Sequence, residues 1–158
     1  MNKFERASLF LLRISVGWLM FYAGISKILD PSWSATGYLA NASTFGGFYS
    51  WFLQPDVLPV TNWLNGWGLT ILGGSLILGI FVRLTSIYGA GLMMLYYFPV
   101  LQFPRIPPHS YVVDEHIVYA LVLLFFIAAR PGRFFGLEVW CSKLPICVKF
   151  PRLRAWLG

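Results

Sequence analysis

Residues 7–28 read ASLFLLRISVGWLMFYAGISKI and form a continuous, mainly apolar run. A transmembrane helix needs about 20 such residues to cross a hydrocarbon core of about 30 Å. The run is continuous rather than alternating, which favours a helix over a strand of a membrane barrel. Its length and the charge on Arg13 argue against a cleaved signal peptide. We therefore predict that this segment spans a membrane as a helix.

Three further apolar segments follow, at residues 63–82, 84–103 and 111–129. In the whole chain of 158 residues, 58% are hydrophobic and 11% are charged, whereas a soluble domain carries about 25% charged residues. So few charges cannot cover a soluble fold, which excludes a soluble enzyme and a disordered chain. The predicted fold class is an all-α integral membrane protein, a bundle of four transmembrane helices.

The net charge of +6 comes from basic residues that flank the apolar segments. If there are four spans, most of these residues lie on one side: Lys3, Arg6, Arg83, Arg130, Arg133, Lys143, Lys149, Arg152 and Arg154. Positive charge marks the cytoplasmic face of a membrane protein. We expect a multi-pass plasma-membrane protein with both termini in the cytoplasm. The expected partner of these charges is the lipid bilayer, and no nucleic acid is expected.

The chain divides into a transmembrane domain, residues 1–140, and a tail, residues 141–158. The tail alternates apolar and basic residues, so we expect it to lie on the inner membrane surface. The loop between the first two spans is unusually aromatic and contains Trp33, Tyr38, Phe45, Phe48, Tyr49, Trp51 and Phe52. We predict that this outer loop is an interfacial lid over the mouth of the bundle.

The first span has a heptad pattern, because Arg13, Gly17, Met20, Gly24 and Lys27 are spaced by four, three, four and three residues. All five therefore share one face of the helix. Two cations facing lipid would be costly, so they point into the bundle or extend to the two membrane surfaces. For Arg13 a structural role and a binding role stay open, and for Lys27 the alternative is simple anchoring.

Two features predict how the other spans pack. Gly66, Thr70 and Gly74 recur every four residues in the second span, and small residues at that spacing allow close contact between membrane helices. Pro99 lies near the end of the third span and has no amide hydrogen. We expect it to kink the helix and to free carbonyl groups that other polar groups must satisfy.

Polar residues concentrate at the start of the fourth span. Asp114 and Glu115 are explained as a helix N-terminus, since the helix dipole favours carboxylates there. His116 is explained less well by a cap, and a histidine at membrane depth is a candidate for proton transfer. We predict His116, Glu115 and Asp114 as catalytic residues, with the helix cap as the alternative for the two carboxylates.

Other residues at this level suggest what the site binds. Positively charged or ionisable side chains that would attract an anionic substrate are Lys27, Arg105, His109 and Arg13. Aromatic side chains that would line a cleft for a ring-shaped cofactor are Tyr96, Tyr97 and Tyr119; ordinary core packing is the alternative for them. The sequence has no zinc, nucleotide or CxxC motif, so no metal is predicted and Cys141 and Cys147 are expected as free thiols.

Arg13-Ile-Ser-Val-Gly17-Trp-Leu-Met-Phe-Tyr-Ala-Gly24-Ile-Ser-Lys27 resembles the first-helix signature of the DoxX/DoxD-like membrane family, an arginine and spaced glycines followed by Gly-x-x-Lys. Three later pieces are similar to its other helices: residues 73–83, residues 113–116 with Tyr119, and residues 132–138. Glu138 stands where an aspartate is expected. The likeness is greatest to the DoxD branch, the small subunit of thiosulfate:quinone oxidoreductase.

The resemblance implies a four-helix membrane subunit that oxidises thiosulfate to tetrathionate and reduces a membrane quinone, which is the electron acceptor. It also implies a second, DoxA-like membrane subunit, and a homo-oligomer is the other expected assembly. The alternative function is a non-catalytic accessory or assembly subunit of a respiratory membrane complex.

Overall fold

The computed structural model describes residues 2–106 and 110–141 and is mostly helical. Its helices are α1 (Lys3–Leu29), α2 (Thr36–Ala40), α3 (Gly46–Trp51), α4 (Leu58–Leu78), α5 (Val82–Val100), α6 (Glu115–Ala129) and α7 (Glu138–Cys141). Strands β1 (Arg105–Ile106) and β2 (Ser110–Tyr111) form an antiparallel pair. The predicted tail beyond the backbone of Cys141 lies outside the described residues.

The four long helices overlap the four predicted apolar segments, and local chemistry sets their ends. Helix α1 begins at Lys3 because Asn2 and Glu5 form a capping box, in which the Asn2 side chain accepts from the Glu5 amide. Helix α4 ends at Leu78, earlier than predicted, because Gly79 adopts a left-handed conformation with φ of 65°. Helix α6 begins at Glu115 because the preceding residues pair in β2 and Asp114 caps the helix.

One helix in the described part of the chain, α1, is long and apolar enough by length and composition to cross a membrane. Helix α6 is apolar but shorter. Large apolar side chains lie on the outer surface of both helices, including Trp18, Tyr22, Leu121 and Phe125. That α4, α5 and α6 also cross the membrane stays a prediction.

Helix α1 packs along α4 through glycines. A Cβ atom on Gly24 would lie 2.4 Å from the backbone nitrogen of Thr70, and one on Gly73 would lie 2.2 Å from that of Phe21. The predicted row of small residues on α4 is therefore corrected at one position, because Gly74 has no neighbour within 4 Å. Gly73, three positions after Thr70, faces α1, whereas Gly74 does not.

The rest of the bundle is joined by apolar packing. Helix α5 packs along α6, and α4 contacts α5 more sparsely. The fully buried core contains Leu69, Leu72, Leu76, Leu123 and Phe126. Burial of large apolar side chains removes them from contact with their surroundings and fixes the four helices relative to one another.

The aromatic loop is attached to α5 in the turn before Pro99. Pro99 cannot donate to the carbonyl of Leu95, and the Tyr49 hydroxyl donates to that oxygen instead, at 3.0 Å. The Tyr38 hydroxyl donates to the next carbonyl, that of Tyr96. The prediction that polar groups satisfy the freed carbonyls is confirmed. Helices α2 and α3, which carry these tyrosines, are thereby held against the end of α5.

Candidate functional site

A cavity of about 250 Å³ lies among the ends of α1, α4, α5 and α6, beneath the aromatic loop. Its walls include Lys27, Trp33, Tyr38, Asn65, Tyr96 and His116. Small-molecule sites are concave and mainly apolar, with a few polar groups that orient the ligand. The structure thus brings together Lys27, His116 and Tyr96, which the sequence analysis assigned to one site.

Lys27 supplies positive charge to the cavity. Its Nζ atom lies 5.3 Å from the ring centroid of Trp33 and 5.9 Å from that of Tyr96, so two aromatic faces hold the ammonium group. No carboxylate within the described ranges forms an ion pair with Lys27. A half-buried ammonium group without a counter-ion attracts an anion or a carbonyl oxygen.

His116 is oriented by Asp114. The His116 Nδ1 and Asp114 Oδ2 atoms are 2.6 Å apart, and Asp114 Oδ1 accepts from the Ile117 amide at 3.1 Å. A carboxylate that accepts at both oxygens requires the imidazole proton to be on Nδ1. The Nε2 atom is then left to exchange a proton with a ligand. One oxygen of Asp114 therefore caps α6, as the helix-cap alternative predicted, and the other orients His116.

Asn65 belongs to the site, although the sequence analysis did not select it. Its side chain is 8% exposed, and its Oδ1 atom is buried without a hydrogen-bond partner among the described residues. The hydroxyl oxygen of Tyr96 also lacks a partner at hydrogen-bonding distance and angle, and the Asn65 side chain lies beside it. An unpaired buried polar group costs about 1–3 kcal/mol, and a bound polar ligand would remove that cost. An asparagine inside a span without charges was the signal available in the sequence.

The loop covers the cavity with aromatic side chains. Asn62 holds the loop in place, because its Oδ1 atom accepts from the Ala35 amide at 3.0 Å. Burial raises the pKa of the Tyr38 hydroxyl, and the neighbouring Tyr49 and Asp114 raise it further. Tyr38 therefore stays protonated near neutral pH and can keep its hydrogen bond to α5. Trp33 and Tyr38 were predicted as part of a lid; here they also form walls of the cavity.

Other residues of the predicted anion-binding set lie elsewhere. Arg105 is exposed on β1, and His109 lies outside the described residues. Arg13 faces the bundle interior, but it lies fourteen residues before Lys27, which is about 21 Å along a helix. Its guanidinium is fully buried and donates to the carbonyls of Pro131 and Phe135 at 3.3 and 3.1 Å. Arg13 thus joins α1 to the segment after α6 and does not line the cavity.

Three more predicted residues surround the site without lining it. Tyr97 is buried, and its hydroxyl donates to the Val112 carbonyl at 2.5 Å. Tyr119 packs against the apolar core of the bundle, as the packing alternative expected. Glu115 is exposed in the first turn of α6. Side-chain direction separates Glu115 from its neighbour His116, because consecutive helical residues point about 100° apart.

The family model described as DoxX matches residues 8–101. This match covers more than half of the chain and extends from α1 to the end of α5. Lys27, Asn65 and Tyr96 lie inside it, whereas Asp114 and His116 lie beyond it. No curated protein and no solved structure matches the chain. The chain belongs to the DoxX family of membrane proteins.

Proposed function

We propose that this DoxX protein is a multi-pass plasma-membrane subunit of a quinone-linked oxidoreductase, with the cavity as its quinone site and thiosulfate as the electron donor. One observation carries the proposal: Lys27 and His116 line the same cavity beside Tyr96. In this arrangement α1, α4, α5 and α6 all span the membrane. The second subunit is DoxA-like, or a second copy of the chain.

The residues present suit a quinone ring, which is flat and apolar with an oxygen on two opposite sides. Trp33, Tyr38 and Tyr96 offer aromatic surfaces. Lys27 offers a donor for one oxygen, and the unpaired Tyr96 hydroxyl offers another. Of the buried polar atoms that lack partners, the Tyr96 hydroxyl would donate to a quinone oxygen, and the Asn65 Oδ1 atom would accept from a hydroxyl group of the quinol product.

A quinone takes up two electrons and two protons to become a quinol, and the protein positions and protonates it. The Lys27 ammonium group stabilises negative charge that develops on the nearer oxygen. His116 transfers a proton from Nε2, and Asp114 stabilises the imidazolium form by accepting from Nδ1. The aromatic side chains of Trp33 and Tyr38 lower the polarity around these groups, which strengthens their electrostatic interactions.

Thiosulfate balances this reaction as the donor. Two thiosulfate dianions that join through a new S–S bond form tetrathionate and release two electrons, the number that one quinone accepts. Unpaired positive charge at Lys27 supports attraction of a dianion to this end of the bundle. The choice of thiosulfate also depends on the resemblance to the DoxD branch. That resemblance is a narrower statement than membership of the DoxX family.

The test measures quinone reduction and tetrathionate formation in membranes that contain the full chain. Lys27→Gln and His116→Asn should each lower the rate by about 100-fold, whereas Lys3→Gln, on the exposed start of α1, should leave it unchanged. Undiminished rates in both site variants would overturn the site. Quinone reduction with another donor but not with thiosulfate would reject the donor alone. Inactivity together with co-purification of a larger complex would favour the accessory function.

A further inference from the structure

A second cavity, of about 180 Å³, adjoins the first. Four residues line both cavities: Ala35, Tyr38, Asn65 and Tyr96. The other walls of the second cavity are mainly apolar and include Leu39, Phe52, Leu64, Leu92 and Leu95. The two cavities therefore lie side by side, and Lys27 and His116 line the first but not the second.

The hydroxyl groups around the second cavity already have partners. Thr61 donates to the Val57 carbonyl at 3.0 Å. The Tyr88 hydroxyl donates to the carbonyl of Leu64 at 3.2 Å, and the Tyr49 hydroxyl donates to the carbonyl of Leu95. Apart from the shared Asn65 and Tyr96, the described lining of this cavity has no buried polar side-chain atom left unpaired. Such a lining favours an apolar occupant.

The second cavity reaches the outer surface of the bundle between α4 and α5. Leu64 on α4 and Leu95 on α5 line it, and they are 48% and 40% exposed. Leu39 and Phe52 from the aromatic loop also line it. The sparse contact between α4 and α5 leaves room for this passage, which connects the surface to Asn65.

We infer that the second cavity holds the hydrocarbon tail of a ligand whose polar ring lies beside Lys27 and His116, and that the tail leaves the bundle between α4 and α5. This inference depends on the proposed quinone function. It adds a binding site for the tail of the quinone, which the second cavity would recognise by its shape. An isoprenoid chain matches an apolar passage that opens toward lipid. Asn65 and Tyr96 lie at the junction of ring and tail.

The test compares two probes that bind to the purified full chain in detergent micelles. One probe is a substituted benzoquinone without a tail, and the other is the same ring with a ten-carbon chain. Leu92→Phe fills the second cavity, and Leu124→Phe, at a 52% exposed position of α6, is the matched control. Equilibrium dialysis measures the affinity of each probe. Because partition of a probe into the detergent micelles is the same for every variant, a difference between variants reports binding to the protein.

The expected result is that Leu92→Phe weakens the tailed probe about tenfold, as overpacking a filled site does, and leaves the ring-only probe unchanged. Leu64→Phe at the mouth of the passage repeats the test at a position where folding is little affected. If the ring-only probe binds and both cavity variants bind the tailed probe as tightly as the wild type does, the proposed tail site is wrong. The proposed quinone site would still stand. If neither probe binds the wild type, the proposed function itself fails.

Discussion

The imidazole of His116 and the carboxylate of Asp114 form a pair, with 2.6 Å between Nδ1 and Oδ2. The other carboxylate oxygen caps α6 through the Ile117 amide. The start of the helix and the orientation of the histidine are therefore fixed by the same side chain. A substitution that keeps the cap but changes the second contact separates the two effects.

Asp114→Asn is that substitution. Asparagine caps helices about as well as aspartate, so the melting temperature should change little. Its amide group would donate to His116 Nδ1 and move the imidazole proton to Nε2, and quinone reduction should slow by about 100-fold. Nitrogen NMR of the labelled histidine reports the tautomer. Asp114→Ala, the comparison, should lose the cap as well, at about 1 kcal/mol. Wild-type turnover in the asparagine variant would refute the role of the pair.

Asn65→Leu tests the unpaired amide at the junction of the two cavities. Because the Oδ1 atom of Asn65 has no partner in the described structure, an apolar residue of similar size should leave stability unchanged or raise it. Binding of the ring-only hydroquinone, whose hydroxyl group would donate to Oδ1, should weaken about tenfold. The contrasting variant is Asn62→Leu, which leaves the Ala35 amide unpaired and should cost about 1 kcal/mol. Unaltered binding in Asn65→Leu would remove this residue from the site.

Gly24→Ala and Gly74→Ala should have opposite effects on stability. The new Cβ at Gly24 would lie 2.4 Å from a backbone atom of α4, so α1 must shift, at a cost of about 1–3 kcal/mol. The shift also moves Lys27, one turn later, and should weaken ligand binding. Gly74 faces open space, where alanine improves helix propensity by up to about 1 kcal/mol. Thermal unfolding in detergent measures both, and equal losses would contradict the packing of α1 on α4.

Arg13→Lys tests whether this buried cation is structural. Lysine cannot donate to the carbonyls of Pro131 and Phe135 together, as the guanidinium does. The unfolding free energy should fall by about 3 kcal/mol, because Arg13 is buried beside Glu138. The folded variant should bind the ring-only benzoquinone with wild-type affinity. Arg6→Lys on the exposed start of α1 is the control. A loss of benzoquinone binding in Arg13→Lys alone would show that Arg13 belongs to the binding site.

The sequence was sufficient wherever structure depends on neighbours along the chain. Heptad spacing placed Arg13, Gly24 and Lys27 on one face of α1, and in the structure that face points into the bundle. The missing amide of Pro99 required a new donor to the Leu95 carbonyl, and the Tyr49 hydroxyl supplies it. Helical periodicity and covalent structure fix such features locally.

Tertiary structure decided which faces meet. Gly73 rather than Gly74 faces α1, and Arg13 found backbone carbonyls rather than a ligand. Asn65 acquired its place in the site only because α4 packs between α1 and α5. Spacing along one helix sets the direction of a side chain but not the partner that packing brings to it. The sequence by itself therefore determined the helices and the residues that share a face of α1, and packing between distant segments determined the cavity.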